Sequence, residues 1–505
     1  PLRSAKVSLM KTYATILTIF LLALVGTAQT LETYEAAPEW PKNPPKHWVR
    51  YHLAHPDPKA GFFPGDPNPA LYYKGKYHLH YLYSVKGGLA MAHVSSDDMV
   101  HWKWHKTTLG PKSLGHGMLS GTAFLTKEGK PAIIYSDNRN IMIVYGLDDN
   151  LDSWTEPAKV VAKTKDGHVK KVGVWDPDCW LNGDTYYCTG SGDKQSHLIK
   201  SKDLKHWEYL GDLMHSDFPN NLGVTPNDDL SCPNMFKLGD KWMLLSISHT
   251  LGCRYFIGDF KDEKYLPESH GLMNWQNINH GKRGLGFFFA PESMLTPDNR
   301  RVMWAWLFPE KKTQQGLQSL PREIELAKDG TIRIQPLREL QKLRGEMKTE
   351  SNIVLKNLKP YQLKEMSGDA LEFEVVFKPL DETYKLNRPH VLHVPRSFGM
   401  NVLCDVGGSN GVQISICPSA KTLRINDVVA PLEVEIDKEI SLRVFIDNTV
   451  IEVFANDRQA IAYAHTRKHP HANNYLFAEQ GNMPVKTVTA WEMNSIYTKA
   501  ADRLK

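Results

Sequence analysis

The chain has 505 residues, 41% of them hydrophobic, and a net charge of +5. That length exceeds one ordinary hydrophobic core and predicts two or more domains, and the composition excludes a disordered protein. The charge is small and unclustered, with no long Lys/Arg block, which argues against a nucleic-acid partner.

In chain order the first feature is an address. Met10-Lys11 precede an apolar run from Ile16 to Val25 that closes on Gly26-Thr27-Ala28. A basic start, an apolar stretch and a small-residue exit read as a secretory signal peptide within residues 1–30, hence a secreted or periplasmic protein. A membrane anchor is the competing reading. The run falls short of the roughly 20 residues that a spanning helix needs, and no other segment is apolar enough for stable membrane insertion.

From about residue 48 the chain is β-rich. Strand-like runs such as Tyr77–Tyr83, Trp242–Ile247 and Val302–Trp306 are separated by turn signals such as Lys74-Gly75, Asn182-Gly183-Asp184 and Leu238-Gly239-Asp240. Four segments set a proline beside a polar residue where a strand should begin: Gly65-Asp66-Pro67-Asn68, Trp175-Asp176-Pro177-Asp178, Ser231-Cys232-Pro233-Asn234 and Ala290-Pro291-Glu292. A recurring acidic strand start suggests several similar sheets aiming polar groups at one shared axis. A second repeat ends on Trp102, Trp154 and Trp207, each preceded by an Asp-containing turn, with spacings of 52 and 53 residues. A period near 50 in an all-β chain matches the four-stranded blades of a propeller. Five blades fit between about 48 and 310, within a domain reaching 340. Beyond Pro336–Leu340, alternating runs such as Leu371–Phe377, Val412–Ile416 and Leu442–Ile446 predict a β-sandwich over 346–498.

The six cysteines are too few for a disulfide framework. They fall into sequence-near pairs, Cys179/Cys188, Cys232/Cys253 and Cys404/Cys417, each placed to sit on neighbouring strands, as disulfides or as buried free thiols. No cofactor or metal is expected, for no metal cluster, phosphate loop or Gly-rich cofactor motif stands out. Nothing specifies an oligomeric state.

These segments resemble the fructan-active glycoside hydrolases of family 32, the invertase, inulinase and levanase group, over most of 48–498. Gly65-Asp66-Pro67-Asn68-Pro69 resembles the family's Asn-Asp-Pro-Asn-Gly segment, which implies that Asp66 is the nucleophile. Ser120-Gly121-Thr122 is similar to its Ser-Gly-Ser substrate segment. Trp175-Asp176-Pro177 is similar to its Arg-Asp-Pro segment, which implies that Asp176 grips fructosyl hydroxyls and steadies the transition state. Ser231-Cys232-Pro233-Asn234 resembles Glu-Cys-Pro-Asp, and Phe288-Phe289-Ala290 resembles Phe-Tyr-Ala. Leu320-Pro321-Arg322-Glu323 and the Phe445–Phe454 region match segments of the domain junction and the sandwich. The resemblance implies a five-bladed propeller followed by a sandwich, a carbohydrate substrate and a retaining double displacement.

Three departures bear on the chemistry. Ser231 stands where the family has its Glu acid/base, Trp175 where it has Arg, and Pro69 where it has Gly. A serine hydroxyl cannot protonate a leaving alkoxide at useful pH, so the donor must lie elsewhere. Glu292, beside the Phe287–Phe289 run, is favoured slightly over Asp229, two residues before Ser231; Asp228 is a weaker neighbour. Partial burial among aromatics would raise a donor's pKa. Asp178, two residues after Asp176, would point the same way on a regular strand. Asn68 and Asn234 occupy matching places beside their prolines and would line the axis. Ser120, Gly121, Trp175, Ser231 and Cys232 complete the candidate substrate contacts, with His249 and Arg254 nearby. The leading expectation is hydrolysis of fructosides of the sucrose, inulin or levan type. Action on another furanoside, or sugar binding without catalysis, are the alternatives.

Overall fold

The computed structural model describes residues 34–39, 48–56, 64–191, 196–275, 287–308, 316–380, 396–465 and 472–497. The expected leader lies outside them. No helix among the described residues is long and apolar enough to cross a membrane.

Five sheets succeed one another between residues 70 and 336, antiparallel throughout except where Ala162-Lys163 pairs in parallel with Trp207–Asp212 at the edge of the third. Their innermost strands are Ala70–Tyr73, Leu119–Leu125, Trp175–Asn182, Ser231–Leu238 and Phe288–Leu295. These strands pack on one another in chain order, and Phe288–Leu295 also packs against Ala70–Tyr73, so the ring closes into a five-bladed β-propeller. The fifth blade runs further than 310: its outer strands are Arg322–Leu326 and Ile332–Pro336. Local chemistry sets the hairpins. Lys74 and Gly75 both take positive φ, 48° and 82°, as a two-residue turn between twisted strands demands.

The tryptophan repeat is a recurring turn. Asp98 Oδ1 accepts from the backbone N–H of Val100 and His101, Asp148 Oδ1 from Asn150 and Asp152, and Asp203 Oδ1 from Lys205 and His206. In each, the residue three before the tryptophan (Met99, Leu151, Leu204) is left-handed. The aspartate stands in for a backbone acceptor, and the tryptophan then enters the blade's outer edge.

Two six-stranded sheets between 344 and 493 face each other as a β-sandwich. Phe373, Val375 and Phe377 from one sheet and Phe398, Met400 and Ile414 from the other are buried in its core. The segment Trp48–His55 lies in the seam between the two domains. The backbone N–H groups of Arg50, Tyr51 and His52 all donate to the Asp447 carboxylate. His52 bridges Asp447 at 2.8 Å and Glu452 at 3.3 Å, and Glu452 pairs with Arg322 of blade five at 2.8 Å.

All six cysteines are buried and free. Cys179 and Cys188 face each other across adjacent strands. Cys232 and Cys253 are separated by an intervening strand, and Cys404 and Cys417 lie at opposite ends of their strand pair, so neither of these pairs is in bonding register.

Candidate active site

Each inner strand begins with one extra residue. Register shifts fall between Leu119 and Gly121, Trp175 and Asp178, Ser231 and Asn234, and Phe289 and Glu292. Blade one repeats the irregularity just ahead of its strand, where Leu82 and His80 donate to the carbonyls of Asp66 and Pro69. Asp66 thus stands ahead of the strand that begins at Ala70. A bulge bends the strand end and re-aims a side chain. At the bulges Asp176, Cys232 and Ala290 take positive φ of 48°, 45° and 44°, a conformation tolerated in non-glycine residues mainly where the surroundings enforce it.

The repetition builds two layers of side chains. Asp66, Ser120, Asp176, Cys232 and Ala290 occupy equivalent places in the five blades. Two residues on, Asn68, Thr122, Asp178, Asn234 and Glu292 form a deeper layer, each at most 7% exposed.

The upper layer joins the two carboxylates. Ser120 Oγ donates to Asp66 Oδ2. Cys232 Sγ lies 3.7 Å from Asp66 Oδ2 and 3.6 Å from Asp176 Oδ2, and the Cys232 backbone N–H donates to Asp176 Oδ2 at 3.2 Å. Ser191 Oγ adds a hydrogen bond to Asp176 at 3.3 Å. Burial pushes Asp66 up to about 6, opposed by the Ser120 and Cys232 hydrogen bonds and reinforced by the charge of Asp176. Burial also raises Asp176, against the hydrogen bonds from Cys232 and Ser191.

The lower layer is sealed. Asp178 and Asp176 part company because the bulge breaks strand alternation: Asp178 accepts from Thr122 Oγ1 at 2.8 Å and the Met235 N–H at 2.7 Å. Burial lifts it to about 7. Ser293 Oγ donates to Asn234 Oδ1. Glu292 is 1% exposed; its Oε1 accepts from the Ser293 N–H at 2.8 Å and its Oε2 has no partner. Burial holds Glu292 well above the carboxylate range. It feels the charges of Asp178 in this layer and of Arg301 on the adjacent strand, and the contacts that join Asp66 to Asp176 do not include it.

Gly121 has a packing reason. A Cβ there would lie 2.0 Å from the Ile134 carbonyl oxygen and 2.6 Å from Tyr135 Cα. Asn68 is buried with its Oδ1 unpartnered. Trp175 is 49% exposed at the start of its strand, an uncovered aromatic face beside Asp176.

Beside Ser231 stands a pair that motif reading reached only in pieces. Ser231 Oγ donates to Asp229 Oδ1 at 2.7 Å, and Asp229 Oδ2 meets His249 Nδ1 at 2.5 Å and the His249 N–H at 2.8 Å. The His249 ring rests edge-on against Phe289, 5.5 Å between centroids. The Asp229 hydrogen bond raises His249 above the ordinary imidazole value, and the charges of Asp229, Asp176 and Asp66 add to it. Partial burial pushes Asp229 up, but its hydrogen bonds from His249 and Ser231 hold it below the usual carboxylate range. Buried Arg254 donates to the Asp229 carbonyl and so braces this loop. Asp228 faces away, into a turn with Thr225.

Two family models cover the chain: the glycosyl hydrolases family 32 N-terminal domain matches residues 55–336, and the family 32 C-terminal domain matches 339–492. A sucrose-6-phosphate hydrolase of Vibrio alginolyticus is 27% identical over 465 residues, covering 81% of this chain and 84% of its own. A raffinose invertase of Escherichia coli is 24% identical, covering 87% and 94%. Among solved structures, fructan 1-exohydrolase IIa of Cichorium intybus superposes with a TM-score of 0.71 at 20% identity, over 89% of this chain and 98% of that one.

Proposed function

Since this chain belongs to glycosyl hydrolase family 32, we propose that it is a hydrolase of the β-fructofuranosidase type, acting on fructosides of the sucrose, inulin or levan kind by retaining double displacement. The convergence of Asp66 and Asp176 on Cys232 at one end of the propeller axis is the observation that carries it. Asp66 attacks the anomeric carbon of the fructosyl unit as the bond to the leaving oxygen breaks, forming a covalent ester. Asp176 accepts hydrogen bonds from ring hydroxyls, which tighten as positive charge develops on the sugar. Water then displaces Asp66 and releases fructose with its configuration retained.

The proton for the leaving oxygen comes, in this proposal, from His249. Its Nδ1–H is fixed by Asp229, which leaves Nε2 free to donate, and Asp229 is hydrogen-bonded to the serine that takes the place of the family's glutamate. His249 takes a proton back from the attacking water in the second step. Glu292 meets one requirement of a donor, since burial favours its protonated form, but a donor must also come within about 3 Å of the leaving oxygen, and Glu292 is sealed. The exposed Trp175 favours a second reading, in which the ring stacks on a furanose other than fructose. The leader at Met10–Ala28 supports export, and the N-terminal sequence of the mature protein tests it.

Product release from sucrose, inulin, levan and other furanosides is the test, with Asp66→Asn as control. Fructose is expected from the wild type, with a loss on the order of 10⁴-fold or more in the control. Cleavage confined to other furanosides would instead establish the second reading. No turnover of any glycoside, with intact sugar bound, would replace both by a binding role.

A further inference from the structure

Away from the axis, His93, His105 and Asp152 place three metal-ligating atoms within 4.8 Å of one another. The group joins two blades. His93 lies on the strand Gly88–Ser96 and His105 just beyond Trp102–Trp104, both of blade one; Asp152 lies in the Asp148 turn of blade two. His93 Nδ1 stands 3.8 Å and His105 Nδ1 3.3 Å from Asp152 Oδ1. His105 Nδ1 is also 3.4 Å from Asp152 Oδ2.

The opposite edge of each ring is occupied. His93 Nε2 is 2.9 Å from His78 Nδ1, and His105 Nε2 is 2.7 Å from Ser95 Oγ. With the protons on both Nε2 atoms, the two Nδ1 lone pairs face Asp152. The rings of His93 and His105 stack at 4.2 Å with 21° between their planes, which sets their Nδ1 edges side by side and requires a tilt of the rings for both lone pairs to meet one ion. His93 is 2% exposed, and neither its Nδ1 nor Asp152 Oδ1 makes a well-aligned hydrogen bond; the two rings approach that oxygen only at ion-pair distance. A buried polar atom without a partner is costly, and one cation would satisfy both.

The donor set selects the kind of cation. Two imidazole nitrogens and one carboxylate oxygen suit zinc and its neighbours, whereas calcium and magnesium take oxygen. Zinc–nitrogen bonds of about 2.0–2.1 Å put tetrahedral donors roughly 3.3 Å apart, which matches the 3.3 Å from His105 Nδ1 to Asp152 Oδ1 and requires the 3.8 Å from His93 Nδ1 to shorten. The Asp152 side chain is 26% exposed, which supplies an entry path and room for a water as fourth ligand. His78 and Ser95 would act as the outer partners that fix each imidazole's tautomer. We propose that His93, His105 and Asp152 form a binding site for a zinc-class divalent cation that staples blade one to blade two. It is independent of the sugar chemistry at the axis.

The test uses the full chain, stripped with chelator and reloaded with Zn²⁺. About one equivalent is expected to survive desalting, with a melting temperature above that of the stripped protein. Asp152→Asn and His93→Gln are expected to lose that metal, and Ser95→Ala to bind it roughly 10–100-fold more weakly. Co²⁺ in place of Zn²⁺ should give a visible absorption band in the wild type that both ligand variants lack. Asp152→Asn should melt like stripped wild type, which separates metal loss from unfolding; Ser95→Ala keeps all three ligands and serves if it does not. Wild-type protein that retains no zinc, or ligand variants that retain as much as wild type, would overturn the proposal.

Discussion

In the proposed mechanism Asp66 and His249 carry opposite protonation demands. As nucleophile Asp66 must be ionised, and burial has pushed it up to about 6. As donor His249 must be protonated, and Asp229 holds it above the ordinary 6.5. The kcat/KM profile should therefore rise through about pH 6 and fall on the alkaline side of 6.5. His249→Gln should lower kcat/KM on natural fructosides by roughly 10²–10⁴-fold, remove the alkaline limb, and cost far less on an aryl fructoside whose leaving group needs no proton. Glu292→Gln should leave the alkaline limb in place. A profile with the roles reversed, lost in Glu292→Gln and kept in His249→Gln, would return the donor to Glu292. Asp66 and Asp176 were legible in sequence because each sits in a short motif. The Asp229–His249 pair was not, because 20 residues separate partners that antiparallel pairing of neighbouring strands brings side by side.

The bulge is the element that makes the site. One extra residue at each strand start turns a period-2 pattern into two layers, so Asp176 reaches Cys232 while Asp178 reaches Thr122. Sequence alternation alone puts both aspartates on one face, because an inserted residue leaves no signature beyond the proline that follows it. Gly121 shows how tight the device is, with backbone atoms of the neighbouring strand where a Cβ would go. Gly121→Ala should destabilise the protein by roughly 1–3 kcal/mol or more, since a rigid backbone has to yield. A denaturation midpoint equal to that of the wild type would refute this packing role. The zinc-class ligand group escaped sequence reading for a related reason: His93, His105 and Asp152 come from two blades and share no motif spacing.

For the molecule as a whole, the seam between propeller and sandwich sets a pH limit. Burial opposes the charge on His52, but hydrogen bonds to Asp447 and Glu452 prevail and push it up to about 9. The folded protein thus holds this proton more tightly than the unfolded chain does. Its contribution is fully present below pH 6.5 and is lost as pH rises through about 9. The melting-temperature gap between wild type and His52→Gln should be largest at or just below pH 6.5 and shrink as the pH rises towards 9, with about 3–5 kcal/mol lost in the variant from leaving the buried carboxylates unpartnered. A gap that does not change with pH would refute the linkage. The domain order was legible because the blade period near 50 stops where plain alternation begins. The seam was not, since Trp48–His55 reads as an irregular lead-in and acquires its role only by meeting residues some 400 positions away.

That meeting has a consequence for synthesis. The ribosome delivers Trp48–His55 among the first of these residues and Asp447, Glu452 and Tyr497 among the last; Tyr497 donates its hydroxyl to the His52 carbonyl and accepts from the Ala54 N–H. Through hundreds of added residues the N–H groups of Arg50, Tyr51 and His52 lack the Asp447 carboxylate that accepts from them, although His55 can already meet Tyr81. Closure of the seam must therefore wait until Asp447 and Glu452 have been made, and nascent protein truncated before residue 447 should remain protease-sensitive at its N-terminal segment even with all five blades translated.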